Sequence, residues 1–190
     1  MAIEARDVTL RIQILNQRAH KQLIDQGVEL IGEKVKDHLM MPHKKRELKR
    51  MARRGRLVGL VETLDDGTEI LGGISGINDV HRRWSFWKFQ FGKIQAAELG
   101  SVAIAERLSR NGYGREIVQQ TAQLFMHDSA RRGKLAEGFV LFAMVKKGNT
   151  ASNGMFDKLG NRIELDVLPQ QALRFGRDYY GYDITHQGQI

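Results

Sequence analysis

The chain has 190 residues, 42% of them hydrophobic, enough for the core of one domain spanning 1–190. It has no cysteine, which excludes disulfides, thiolate metal sites and a cysteine nucleophile. The net charge of +8 sits almost wholly in 44–56, where eight Lys and Arg residues stand against Glu47 alone; such a localised patch argues for an acidic partner.

In chain order, Asp7 to Leu15 alternates apolar and polar residues and reads as a first strand. His20 to Leu39 has helical spacing and is broken by Met40-Met41-Pro42. Lys44 to Arg54 is a short second helix ending near Gly55. Arg56 to Thr63 and Thr68 to Ile74 flank Asp65-Asp66-Gly67, a strand–turn–strand signal. The stretch to Phe91 is less regular and interleaves bases with Trp84, Phe86, Trp87, Phe89 and Phe91. Ala97 to Ala105 is a strand, and Gly114 to Arg131 is a helix ending at Gly133. Phe139 to Lys146, continuously apolar until its last residue, is a central buried strand. Asn149 to Leu159 is a helix stopped by Gly160, and Ile163 to Leu168 and Tyr179 to Thr185 are final strands. The order is βααββ followed by βαβαββ, which packs as a mixed α/β sheet carrying helices.

The most informative junction is Ser109-Arg110-Asn111-Gly112-Tyr113-Gly114-Arg115, where a strand gives way to a helix through two glycines. Glycines there let backbone N–H groups approach a ligand, and the helix N-terminus adds partial positive charge, so the turn suits a phosphate or pyrophosphate. Arg110 and Arg115 can add charge-assisted hydrogen bonds.

Downstream, the strand ending at Val145 is followed by Asn149-Thr-Ala-Ser152 and then by Phe156-Asp-Lys158-Leu-Gly160. With the glycine turn, this series resembles the GNAT superfamily of acyl-CoA-dependent N-acetyltransferases. Gly112 and Gly114 match the family's turn glycines, Asn149 its loop asparagine, and Lys158 and Gly160 its helix end. The chain departs from the family pattern at Ser109, usually Arg or Gln, at Phe156, often a tyrosine acting as general acid, and at Asn161, usually aromatic.

The resemblance implies a mixed, largely antiparallel sheet with a splayed central strand pair and flanking helices. It also implies transfer of an acetyl group from acetyl-CoA to a primary amine. The pyrophosphate of coenzyme A would lie on Ser109 to Arg115, and the pantetheine would pair with the backbone of Val102 and Ile104. A backbone N–H near Ile104 would face the thioester oxygen. Asn149, Ser152, Phe156 and Lys158 would complete the cofactor wall, with helix capping as the other role for Asn149. Glu98 matches a position where some members carry a base. Ser152, Tyr180 or Tyr182 would supply a proton in place of the missing tyrosine, and Glu106 would point away from the turn or pair with Arg107.

On the acceptor side, Arg46, Lys49, Arg50 and Arg53 fall at i, i+3, i+4 and i+7, one cationic stripe of a helix. This favours an amine on RNA, an acidic protein or an acidic metabolite. Arg83 and Trp84 extend it as an aromatic–basic surface. The alternative is a catalytically weak module of the same fold that binds RNA or another polyanion through 44–56. The six histidines show no recognised metal-ligand spacing, so no metal is expected. No signal-like or membrane-length apolar run is visible, so a cytoplasmic protein is expected, with a homodimer compatible with the resemblance.

Overall fold

The computed structural model describes residues 9–36, 44–79, 95–131, 139–163 and 178–188. Arg83, Trp84 and the aromatic run to Phe91 lie outside them, as do the Met40–Pro42 break and the strand expected beyond Ile163. The elements follow the expected order: β1 (Thr9–Ile14), α1 (Lys21–Lys36), α2 (Lys44–Arg53), β2 (Leu57–Thr63), β3 (Glu69–Asp79), β4 (Gln95–Ile104), α3 (Tyr113–Arg131), β5 (Phe139–Lys146), α4 (Thr150–Leu159), β6 (Asn161–Ile163) and β7 (Tyr179–Asp183). Short 3-10 turns occupy Glu106–Leu108 and Thr185–Gly188.

The strands form one seven-stranded sheet in the order β1-β2-β3-β4-β5-β7-β6. Every neighbouring pair is antiparallel except β4 and β5, which run parallel. The β2–β3 connection is the expected hairpin. Gly67 takes a φ of +79°, which a residue without Cβ adopts freely, and Asp66 Oδ1 accepts from the Thr68 N–H at 2.8 Å.

Helices cover both faces because strand side chains alternate. Leu57, Val61, Leu71, Ile74 and Ala103 meet Leu23, Ile24, Leu30 and Ile31 of α1 and Leu48, Met51 and Ala52 of α2. On the other face, Leu99, Leu141, Ala143, Val145 and Tyr182 meet Val118, Ala122, Phe125 and Met126 of α3 and Phe156 and Leu159 of α4. Ile117 of α3 also packs on Val58 and Leu60. At roughly 1.5–3 kcal/mol for each fully buried large apolar side chain, these two layers are the main driving force for the fold.

One irregularity positions the site. Gly76 pairs with Ser101 and Ile77 with Leu99, so Gly100 is an extra residue in β4, a β-bulge. A Cβ on Gly100 would collide with Asn78 Nδ2 and come 3.0 Å from Met51 Cε, so the close approach requires glycine.

Candidate active site

The parallel ladder between β4 and β5 runs from Gln95↔Phe139 to Leu99↔Ala143 and then stops. Both strands continue, β4 to Ile104 and β5 to Lys146, but apart. The parting begins at the bulge, and bulges bend the strand that carries them. An open cleft fills the gap, walled by Glu98 to Val102 of β4, Ala143 to Lys146 of β5, Asn149, Ser152 and Phe156 around α4, and Tyr179 of β7. The splayed central pair expected from the resemblance is therefore present.

Beyond the end of β4 lies the glycine turn. Arg110 has a φ of +68° and Gly112 of +86°, so the backbone folds back twice in three residues. Nothing lies within 4 Å of where a Cβ on Gly112 would be. The N–H groups of Arg110 to Gly114 make no hydrogen bond among the described residues, whereas those of Arg115 and Glu116 turn back to the Gly112 carbonyl. Free N–H groups at the head of a 19-residue helix attract anions. Gly114 serves differently: a Cβ there would lie 3.2 Å from Met155 Sδ and 3.7 Å from Ile104 Cγ1, so its smallness lets α3 close on α4 and β4.

The other cofactor-side residues divide between backbone and surface roles. Val102 lines the cleft, while the half-buried Ile104 side chain packs with Val58, Leu60 and Ile117, leaving only its backbone available. The Ser109 hydroxyl reaches the Ala105 carbonyl at 3.4 Å. Arg110, Asn111 and Arg115 are exposed around the turn, Tyr113 is half-buried, and Lys158 is exposed in the last turn of α4. Of the two expectations for Glu106, the pairing with Arg107 is corrected. Its carboxylate is exposed with Lys34 Nζ at 3.9 Å, and Arg107 pairs instead with Glu62 of β2.

Asn149 caps α4: its Oδ1 accepts from the Ser152 N–H at 3.1 Å. Its Nδ2 makes no hydrogen bond among the described residues, and the residue also lines the cleft, so capping leaves a donor available. Phe156 is buried and stacks on Tyr182, with ring centroids 5.5 Å apart. The Tyr182 hydroxyl donates to Asn153 Oδ1 at 3.0 Å, and Asn153 Nδ2 donates to the Lys146 and Lys147 carbonyls. Burial pushes the Tyr182 phenol above its ordinary pKa, with the Asp157 charge adding to the rise. Tyr182 is thus committed to holding α4 on the end of β5.

Tyr180, an expected proton donor, has its ring under the guanidinium of Arg162 at 4.4 Å and the ammonium of Lys147 at 5.2 Å. Strand alternation instead gives Tyr179 to the face it shares with Lys146, its ladder partner. Burial, helped by the Asp178 charge, raises the Tyr179 phenol, so it stays protonated at neutral pH. The Tyr179-Tyr-Gly-Tyr182 run marked an aromatic strand, but only the register decided which ring faces the cleft.

Glu98 is 9% exposed, lines the cleft, and pairs in register with Phe142 on one side and Asn78 on the other. Asn78, which the sequence did not single out, is buried beside Glu98 in the β3–β4 ladder. Its Oδ1 accepts from Arg50 Nη2 at 2.9 Å, and its Nδ2 donates to Glu47 Oε2 at 3.4 Å.

The four bases of the expected stripe on α2 (Arg46, Lys49, Arg50 and Arg53) differ in their surroundings. Arg46 and Arg53 are exposed, but Lys49 lies 3.7 Å from Asp25 of α1 and Arg50 turns inward onto β3. Leu48, Met51 and Ala52 are buried against the sheet, and that docking sets the rotation of α2 about its axis. Arg56, the last base of the run, lies over the Phe125 ring at 5.2 Å. Among the described residues no group of three His, Asp or Glu side chains is placed to hold a metal ion, and no helix is long and apolar enough to cross a membrane.

Comparison with known proteins gives the same frame. Residues 91–167 match the model of the FR47-like protein family, which is related to GNAT. No curated protein matches the sequence. Among solved structures, the NatC complex bound to Gag peptide and CoA is similar at a TM-score of 0.59 and 14% identity, covering 92% of this chain and 95% of that one. N-acetylglutamate synthase from Neisseria gonorrhoeae, complexed with coenzyme A and N-acetyl-glutamate, gives 0.56 at 15% identity; 93% of this chain aligns, spanning only 35% of that one. NAA60 from Arabidopsis thaliana, in complex with acetyl-CoA, gives 0.52 at 11% identity over 92% of this chain and 97% of that one. At these identities the likeness to the solved structures is one of fold, and the FR47-like match covers residues 91–167.

Proposed function

We propose that this protein is an acetyl-CoA-dependent N-acetyltransferase acting on a primary amine. The observation that carries the reading is the alignment of two features along β4: the parting from β5 after Leu99, and the unpartnered N–H groups at 110–114 just beyond its end. The first leaves backbone free to pair with an amide-bearing chain, and the second suits a pyrophosphate. Coenzyme A carries both groups, and the acetyl thioester supplies an activated carbonyl. CoA-bound and acetyl-CoA-bound neighbours of the same fold support this choice.

Arg110 to Gly114 hold the pyrophosphate, Asn149 Nδ2 meets a pantetheine amide, and Val102 and Ile104 contribute backbone. Bulged and unpaired backbone N–H groups of β4 face the carbonyl oxygen as it gains negative charge. Glu98 takes the proton of the attacking amine, directly or through water; its low exposure favours that role by weakening solvation of the carboxylate. The departing thiolate, with a pKa near ~8.5, needs only weak acid assistance. Tyr179 and Ser152 are among the cleft hydroxyls that can give it.

The acceptor carries an anionic group beside its amine, drawn by the exposed Arg46 and Arg53. The rival reading, a polyanion-binding module, is weakened because Lys49 and Arg50 are engaged within the fold.

The test is thiol release from acetyl-CoA with a panel of amines. Turnover above blank is expected, with kcat/KM reduced about 10²–10⁴-fold in Glu98→Gln while acetyl-CoA affinity is kept. Absence of turnover with every amine, together with no thermal stabilisation by acetyl-CoA and tight RNA binding, would overturn the assignment.

A further inference from the structure

Beside the cleft, next to Glu98, lies a side-chain network of Asn78, Arg50 and Glu47 that the acyl-transfer step itself does not use. Asn78 and Glu98 are direct partners across the β3–β4 ladder, so their side chains leave the sheet on one face, neighbours at about 5 Å between Cβ atoms. The Asn78 carboxamide also lies against the bulge: the position a Cβ on Gly100 would take is filled by Asn78 Nδ2. Its two polar atoms are then taken by α2, with Arg50 donating to Oδ1 at 2.9 Å and Glu47 accepting from Nδ2 at 3.4 Å. A carboxamide clamped on three sides, by a bulge and two opposite charges, has one orientation.

We propose that Asn78, clamped by Glu47 and Arg50, is a positioning residue that fixes Glu98 for acyl transfer and ties the state of that carboxylate to α2. This rests on the acetyltransferase reading for the role of Glu98. Two physical consequences follow. The carboxamide fills the space into which the Glu98 side chain would otherwise swing. Arg50 and Glu47, held near Glu98 in a poorly solvated site, bias its proton affinity in opposite directions. The remaining titratable groups facing the cleft among the described side chains are Lys146 and Tyr179, on its far side. Removing the α2 groups therefore leaves those contributions unchanged. Arg50, which the charge pattern assigned to an external polyanion, thereby takes on an internal task.

The experiment measures Glu98 directly, by carbon-13 NMR titration of its carboxylate in the full chain, alongside the pH profile of kcat/KM. Arg50→Met is expected to raise the Glu98 midpoint by roughly 0.5–1 pH unit, and Glu47→Gln to lower it by a similar amount. The acid limb of kcat/KM should move with each. Arg50→Lys keeps the charge and should hold the midpoint near wild type, although it loses the fork that grips Asn78. Asn78→Leu should cut kcat/KM for the amine about tenfold, a loss of roughly 1.4 kcal/mol, with acetyl-CoA affinity unchanged. Midpoints that stay in place in both charge variants, or move in the same direction, overturn the proposal. The titration reads the network whether or not turnover is seen, so a protein that moves no acetyl group but shows opposite shifts refutes the function and leaves the network standing.

Discussion

The two ends of the cleft are built on different principles. At the cofactor end, the turn from Ser109 to Gly114 is made by consecutive residues, with Gly112 at positive φ and open space around it. At the acceptor end, Glu98, Asn78, Arg50 and Glu47 come from three elements and meet only when α2 docks on the sheet. The first end is a local backbone conformation that a phosphate can occupy; the second is a packing arrangement. A binding site that must recognise one constant group can be encoded locally. A site that must suit a particular acceptor draws on elements that vary independently.

The contrast breaks most sharply at Gly112. Gly112→Arg forces a bulky residue into the left-handed region, at about 1–2 kcal/mol, and places its side chain at the turn proposed to take the diphosphate. Acetyl-CoA affinity should fall on the order of 10²-fold by calorimetry while the Glu98 titration stays as in wild type. A disturbed titration would show that the two ends are not separate.

Gly100→Ala probes the opposite end. Its Cβ meets a clamped carboxamide and Met51 Cε, an overpacking cost of about 1–3 kcal/mol in chemical denaturation. Amine kcat/KM should drop more than acetyl-CoA affinity. A larger effect on the cofactor would place the bulge at the wrong end of the cleft.

Asn149 sharpens the picture, since it has both a local and a ligand role. Asn149→Ala should cost about 1 kcal/mol of stability through the lost cap. Asn149→Asp keeps the capping oxygen and loses the Nδ2 donor, so it should melt like wild type yet bind acetyl-CoA several-fold more weakly.

The smallest effect is expected at an exposed ion pair on the outer side of α4. Arg162 donates two hydrogen bonds to Asp157, and this pairing holds the Asp157 carboxyl below its ordinary pKa. A depressed carboxylate stabilises the fold above the unfolded pKa of about 3.9 and loses that contribution as pH falls through the lower folded value. The gap in Tm between wild type and Asp157→Asn should therefore be present at neutral pH and close below about pH 4, with activity unaffected. A gap that persists into stronger acid would mean that the pairing does not supply it.

The amino-acid sequence by itself determined the order of elements, the hairpin at Asp66-Gly67, the glycine turn ahead of α3 and the cap at Asn149. Each rests on contacts within a few residues, or on a hydrophobic period that survives without knowledge of partners. Glu98 is singled out only through family resemblance, and which ring of Tyr179 and Tyr180 shares its face depends on register, because a one-residue difference in a strand reverses the face. The inward turn of Arg50 and the clamp on Asn78 belong to the tertiary structure alone. The charge pattern of α2 marks a cationic stripe, but which part of that stripe meets solvent is decided by burial of Leu48, Met51 and Ala52 against the sheet. Burying those apolar side chains is worth more than solvating one guanidinium, so the core sets the rotation of the helix and the charges take the partners that rotation allows.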